Sequence, residues 1–158
     1  MEICVAKSAG FCFGVSCAVE SVYKELANGK RVYTFGPITH NETVVEELSR
    51  KGVRIIESVE EAEKLSDATI IIRSHGVPKS IFDRLAAIKT VNIVDSTCAF
   101  VKKIHRIVEE ESGKGRHILI AGDREHPEVV GICGWCSGPY TVIGTEQEAK
   151  ELDLDINV

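Results

Sequence analysis

No apolar run in the chain approaches the roughly 18 residues needed to cross a bilayer, so no membrane span is expected. The opening residues Met1-Glu2-Ile3-Cys4-Val5-Ala6-Lys7 lack a basic segment followed by a long apolar one, and no secretory signal is expected either. No low-complexity tract or linker interrupts the sequence. An excess of positive charge is also missing. The chain has 19 basic and 24 acidic residues, a formal net charge of −5, which argues against a global nucleic-acid footprint. Cysteine is too sparse, at six in 158 residues, for a disulfide scaffold, which takes roughly 8–10%. The expected compartment is therefore the reducing cytoplasm. There, unusual cysteines read as metal ligands or redox groups before they read as crosslinks.

What is present alternates. Short β-branched runs at 2–6, 31–35, 53–56, 69–73, 91–94, 117–121 and 141–143 read as strands. Thr69-Ile70-Ile71-Ile72 and His117-Ile118-Leu119-Ile120 have the continuous apolar character of strands covered on both faces. Between them lie helical patterns. Val15, Ala18, Val19, Val22, Tyr23 and Leu26 share one face before Gly29, with Cys17 turned away from it. Val44, Val45 and Leu48 mark a second helix. Ser58 with Glu61, and Thr145 with Glu148, read as capping boxes. Pro78 suits the first turn of a helix carrying Ile81, Phe82 and Leu85. Phe100, Val101, Ile104, Ile107 and Val108 stripe a helix that ends near Gly113. Strand and helix in alternation predict an α/β fold with a mostly parallel sheet. Residues 1–97 are expected to form an N-terminal strand and a first α/β lobe, and residues 98–158 an incomplete second one. The last six residues look like the entry into a further strand.

Three stretches repeat a chemical theme. An apolar strand runs into a loop, a histidine follows, and a helix begins, at Gly36-Pro37-Ile38-Thr39-His40-Asn41, at Arg73-Ser74-His75-Gly76 and at Gly122-Asp123-Arg124-Glu125-His126-Pro127. Ligands of parallel sheets bind at the carboxyl ends of strands. The following helix N-terminus offers free N–H groups to an anion, and a histidine adds a donor. Any one of these histidines alone is an ordinary loop residue; three at equivalent places suggest a phosphate or diphosphate site. His105 and His117 do not share the pattern and read as structural. Cys12, between Gly10 and Gly14, and Cys98, in Asp95-Ser96-Thr97-Cys98, sit at similar strand–helix corners, where thiolate is favoured. With 85 residues between them, they are a weak metal signal by themselves. Cys133-Gly134-Trp135-Cys136 has the C-x-x-C spacing of a thiol redox pair, but it closes a helical stretch instead of opening one. Cys4, alternating in the first strand, reads as packing.

Taken in order, Gly10-Phe11-Cys12-x-Gly14-Val15, Thr39-His40-Asn41, Ser74-His75-Gly76-Val77, Asp95-x-Thr97-Cys98 with Val101-x-Lys103, and His126-Pro127-Glu128-Val129 resemble the 4-hydroxy-3-methylbut-2-enyl diphosphate reductases. The resemblance spans nearly the whole chain but only about half of such an enzyme. It implies parallel-sheet lobes of a three-lobed trefoil around a [4Fe-4S] cluster, with the third lobe absent from this chain. It makes Cys12 and Cys98 two of three cluster ligands, the third lying beyond Val158, and it makes the sequence a fragment inactive by itself. It makes His40, His75 and His126 the grip on the substrate diphosphate, and Glu128 the proton-delivering residue. The activity implied is reductive dehydroxylation of an allylic diphosphate to isopentenyl and dimethylallyl diphosphate, the last step of the methylerythritol phosphate route to isoprenoids. Electrons would come from a ferredoxin- or flavodoxin-type donor, without membrane or nucleic-acid partners. Two rivals remain: a thiol–disulfide oxidoreductase using Cys133 and Cys136, and a non-catalytic diphosphate-binding module.

Overall fold

A computed structural model describes residues 3–6 and 9–152. Six strands alternate with seven helices among them. In chain order they are α1 (Phe13–Ala27), β1 (Arg31–Phe35), α2 (Glu42–Arg50), β2 (Arg54–Ile56), α3 (Val59–Glu63), β3 (Ala68–Ile72), α4 (Lys79–Ala87), β4 (Val91–Asp95), α5 (Ala99–Gly113), β5 (Ile118–Ala121), α6 (Pro127–Cys133), β6 (Tyr140–Ile143) and α7 (Glu146–Lys150). Four strands form a parallel sheet in the order β2-β1-β3-β4, and β5 pairs in parallel with β6 in a second, smaller sheet. The α/β fold with parallel sheets is the one the alternating pattern predicts.

The strand β3 explains the larger sheet. All five of its residues are buried, because successive side chains enter opposite cores. Ile71 packs with Ala18, Val19 and Val22 of α1, Leu48 of α2 and Val32 of β1. Ile70 and Ile72 face Tyr33, Ile56, Val59, Ala62 and Leu85 on the other side, under α3 and α4. A β-branched run of this kind has no solvent face to offer. Short helices are fixed by their caps: the Ser58 hydroxyl accepts from the Glu61 N–H at 3.2 Å, and the Thr145 hydroxyl from the Glu148 N–H at 3.2 Å.

The strand order carries the functional consequence. From β1 the chain moves outward to β2, then returns past β1 to β3. Connections leaving the carboxyl ends of β1 and β3 therefore diverge to opposite faces and open a crevice between them. The loops that occupy it are residues 36–41 and 73–78.

Several sequence expectations need correction. Residues 3–6, the described part of the predicted first strand, form no strand; Ile3 and Val5 are 76% and 75% exposed. Their alternation is a strand-like pattern without a neighbouring strand to pair with among the described residues, so Cys4 is exposed, not packed. Among the described residues the second sheet is covered on one face only. Val108, Val129 and Ile132 pack over Ile120 and Val142, whereas Leu119 remains 37% exposed and Ala121 is exposed. In α5 the inner face is Val101, His105, Val108 and Ser112, while Phe100, Ile104 and Ile107 point outward. Pro78 occupies the cap position immediately before α4. The strand predicted at the last six residues lies outside the described residues.

Candidate anion site beside two helix-capping cysteines

Three turns at the carboxyl edges of the strands bring their imidazoles together. The rings of His40 and His75 lie 5.4 Å apart between centroids, and those of His75 and His126 lie 5.6 Å apart, nearly perpendicular. His40 follows β1, His75 follows β3, and His126 follows β5 of the other sheet. Residues 35 and 86 positions from one another along the chain thus share one locus, with His75 in the middle.

Each turn is fixed locally. The Asn41 side chain caps α2 by accepting from the Val44 N–H at 3.2 Å, and the buried Thr39 hydroxyl accepts from the Asn41 N–H at 3.3 Å. This pins His40 between two bonded residues. His126 caps α6 with its ring, Nδ1 accepting from the Glu128 N–H at 3.2 Å. An Nδ1 that accepts carries no proton, so the neutral ring keeps its proton on Nε2, free to donate to a ligand. Glu128 stands half-buried in the first turn of α6, two residues from that ring.

His75 is the most perturbed member. Burial pushes its pKa down to about 4, and the Arg73, His40 and His126 charges push the same way. Its Nδ1 is buried without a hydrogen-bond partner. The centre of the cluster is thus a neutral imidazole, desolvated and near the Arg73 guanidinium.

The two cysteines of interest occupy equivalent positions. Cys12 precedes α1 and Cys98 precedes α5, each as the cap residue and neither spending its side chain on a cap bond. Gly14, two residues after Cys12, packs directly against Cys98. A Cβ on Gly14 would stand 2.9 Å from both Cβ and Sγ of Cys98, so the turn that carries Cys12 can seat against Cys98 only because residue 14 has no side chain. The Cys98 turn is tied to the histidine turn as well. The Cys98 N–H donates to the Ser74 carbonyl at 2.9 Å, and the Ser96 N–H to the Ile72 carbonyl at 3.1 Å. Asp95 braces it, accepting from the Thr97 N–H at 3.0 Å and pairing with Lys102 at 2.7 Å.

Soft thiolates at two helix N-termini are the donor set that iron–sulfur clusters take. Among the described residues no group of three or more Cys, His, Asp or Glu side chains is placed to hold a metal ion. Cys12 and Cys98 are of the donor type such a group takes, and a third donor is absent among the described residues. Cys17, which sequence reasoning passed over, lines a cavity of about 240 Å³ with Gly14, Ser96 and Cys98.

Cys133 and Cys136 behave differently. Both are packed at the margin of the second core, and burial pushes both thiols above the ordinary range. A redox-active pair needs a lowered thiol pKa, so this environment weighs against the C-x-x-C reading. His117 donates or accepts at Thr141 across the small sheet (2.8 Å), as a structural residue should.

His105, read as structural, is only 4% exposed, its Nε2 has no partner, and it stacks on Trp135 at 5.0 Å. Trp135 in turn donates from Nε1 to the Val77 carbonyl at 2.9 Å. These two rings join the small sheet to the histidine-bearing turn of the large one.

The profile of the LytB protein family matches residues 3–157. A 4-hydroxy-3-methylbut-2-enyl diphosphate reductase of Thermoanaerobacter sp. (strain X514) is 50% identical over 155 residues, which are 96% of this chain and 53% of that protein. One of Clostridioides difficile (strain 630) is 40% identical over 156 residues, 98% of this chain and 55% of that one. Among solved structures, an (E)-4-hydroxy-3-methyl-but-2-enyl diphosphate reductase, described as the terminal enzyme of the non-mevalonate pathway, superposes with a TM-score of 0.78 at 35% identity, covering 94% of this chain and 53% of that one. The E-1-hydroxy-2-methyl-but-2-enyl-4-diphosphate reductase of Plasmodium falciparum superposes with a TM-score of 0.83 at 26% identity, covering 93% and 46%. The chain spans about half the length of the curated relatives it matches.

Proposed function

The chain belongs to the LytB protein family, and from that premise we propose that it is part of a 4-hydroxy-3-methylbut-2-enyl diphosphate reductase acting in isoprenoid biosynthesis. The observation that carries the reading is the convergence of His40, His75 and His126 from three turns, joined through Ser74 to Cys98. A diphosphate needs several donors around one point, and this cluster offers imidazole N–H groups and helix N-termini there.

The overall reaction balances as one allylic alcohol diphosphate plus two electrons and two protons giving one isopentenyl or dimethylallyl diphosphate plus water. Cys12 and Cys98 would hold a [4Fe-4S] cluster together with a thiolate from elsewhere in the complete protein; when bound, the cluster supplies the electrons and a Lewis-acidic iron. The histidines hold the diphosphate end. His75, neutral, would take part as a hydrogen-bonding imidazole at the centre of the cluster. His126 donates from Nε2, because its Nδ1 is already engaged by the helix. Glu128 is the proton-delivering carboxyl, supported by its place beside His126 at the mouth of α6. A cytoplasmic setting agrees with six free thiols, and the donor is of ferredoxin or flavodoxin type by resemblance to the family. We place the boundary between two α/β lobes at 97/98, where α5 leaves the large sheet to pack with α6.

The test uses the complete, anaerobically reconstituted protein with 4-hydroxy-3-methylbut-2-enyl diphosphate and a chemical reductant. C12S and C98S are expected to lower bound iron and abolish turnover, while C136S keeps both. Turnover that persists in C12S and C98S and disappears in C136S would overturn the assignment in favour of thiol chemistry. Glu128→Gln is expected to retain diphosphate binding and to lose about 10²-fold or more in kcat, the usual range for removing a proton donor.

A further inference from the structure

Arg73 has no place in the site as described, yet it lies at its centre from behind. It follows β3 directly and precedes Ser74 and His75. Its half-buried guanidinium packs beneath Gly36. A Cβ there would stand 3.0 Å from one terminal nitrogen and 3.2 Å from the central carbon. Gly36 has a φ of +71°, so backbone shape and close approach both demand glycine. Arg73 lines a cavity of about 320 Å³ whose wall draws on all three histidine turns: Gly36 and Pro37 before His40, Gly76 after His75, and Glu125 and Pro127 on either side of His126. Nε of Arg73 is buried without a hydrogen-bond partner, and among the described residues the side chain forms no ion pair. Glu57 on the same cavity wall is the carboxylate whose field it feels. Burying a guanidinium with so little direct compensation is unfavourable by itself. Its charge nevertheless acts on His75, the middle ring of the cluster.

We propose that Arg73 is a positioning residue of the anion site: packed under the three histidine-bearing turns, it supplies a fixed positive charge behind them without touching the ligand, and so sets the affinity for a diphosphate group. The proposal rests on reading the histidine cluster as a diphosphate site. Its physical basis is field, not contact. A charge in a half-buried setting acts over several ångströms with little screening, whereas a neutral side chain of the same bulk acts only by packing.

The experiment is calorimetric titration of the complete protein with inorganic diphosphate at two ionic strengths. R73M keeps most of the bulk and removes the charge; it is expected to weaken binding at least tenfold and to flatten the salt dependence. R73K keeps the charge and is expected to bind within threefold of the wild type. A packing role alone would not be rescued by lysine, nor would it alter the salt dependence. Emission from the lone tryptophan, Trp135, should match the wild type in both variants, which establishes that the turns remain assembled. If R73M does not fold, R73Q serves as the charge-free variant. Diphosphate affinity in the charge-free variant within twofold of wild type overturns the proposal, as does an R73K that falls as far as R73M. No diphosphate binding by the wild-type protein would overturn the site reading and this proposal together, an outcome distinct from the other two.

Discussion

His75 is a strongly perturbed ring lying between His40 and His126. Its pKa is held near about 4 against an ordinary 6.5, first by burial and then by Arg73, His40 and His126. The unfolded chain binds a proton at this residue before the folded one does. Stability contributed by the neutral ring is therefore complete above pH 6.5, is lost as pH falls towards about 4, and changes no further below that. His105, buried and lowered for the same first reason, adds a slope of the same sign. With the ring partly open to solvent, the loss at His75 is roughly 2 kcal/mol. Urea unfolding at about pH 7 and about pH 4.5 should show it, and His75→Asn should reduce the difference; an unchanged difference in that variant would refute the account. The three site histidines were legible from their repeated place after strands. Arg73 was not, because the last residue of an apolar run reads only as the end of a strand. His105 could have been found: Val101, His105 and Val108 keep the spacing of one helical face, and a polar residue on that face has to be buried.

At the level of elements, local rules determined most of the chain and failed where a partner was needed. β1 was read at its observed limits, and β3 one residue late, because a β-branched run has clear character but indistinct ends. Residues 3–6 failed because alternation states a preference that only a neighbouring strand can fulfil. α5 failed by face. It is apolar on more than one side, and the sequence does not say which side meets the sheet. The seating of α1 on the Cys98 turn is likewise invisible in sequence, since Gly14 reads as a flexible corner when its function is close approach. Gly14→Ala places a methyl 2.9 Å from Cys98 Sγ and Cβ, so one of the two turns has to move. The expected cost is roughly 1–3 kcal/mol in thermal or urea unfolding. In the complete protein it should also diminish bound iron, measured after anaerobic reconstitution. Gly29→Ala, with open space around it, should leave the iron unchanged while still costing stability through its φ of +70°.

At the scale of the molecule, the site exists only if two sheets keep their relation. His40 and His75 belong to the four-stranded sheet and His126 to the pair β5–β6, so the third corner of the cluster depends on the joint between them. That joint is aromatic. Trp135 stacks on His105, lies 5.9 Å from Phe82, receives the Lys79 ammonium at 4.9 Å over its ring and donates to the Val77 carbonyl. Val77 is two residues from His75, and α6 runs from His126 at its cap to Cys133, two residues before Trp135. Loosening the tryptophan therefore moves His126 relative to His75, whatever happens to either sheet internally. Trp135→Ala is expected to cost about 3–5 kcal/mol, as large aromatic truncations do, and to weaken inorganic diphosphate binding. Trp135→Phe retains a ring for His105 and Lys79 but loses the Nε1–H bond and part of the indole's bulk, a cost of roughly 1–3 kcal/mol. It should therefore keep most of the affinity. Calorimetric titration of both variants, alongside hydrogen exchange at the Val77 and His126 turns, separates the joint from the sheets. Faster exchange confined to those turns in Trp135→Ala is the expected pattern, and uniform exchange across β1 and β3 would show that the ring supports the whole fold instead.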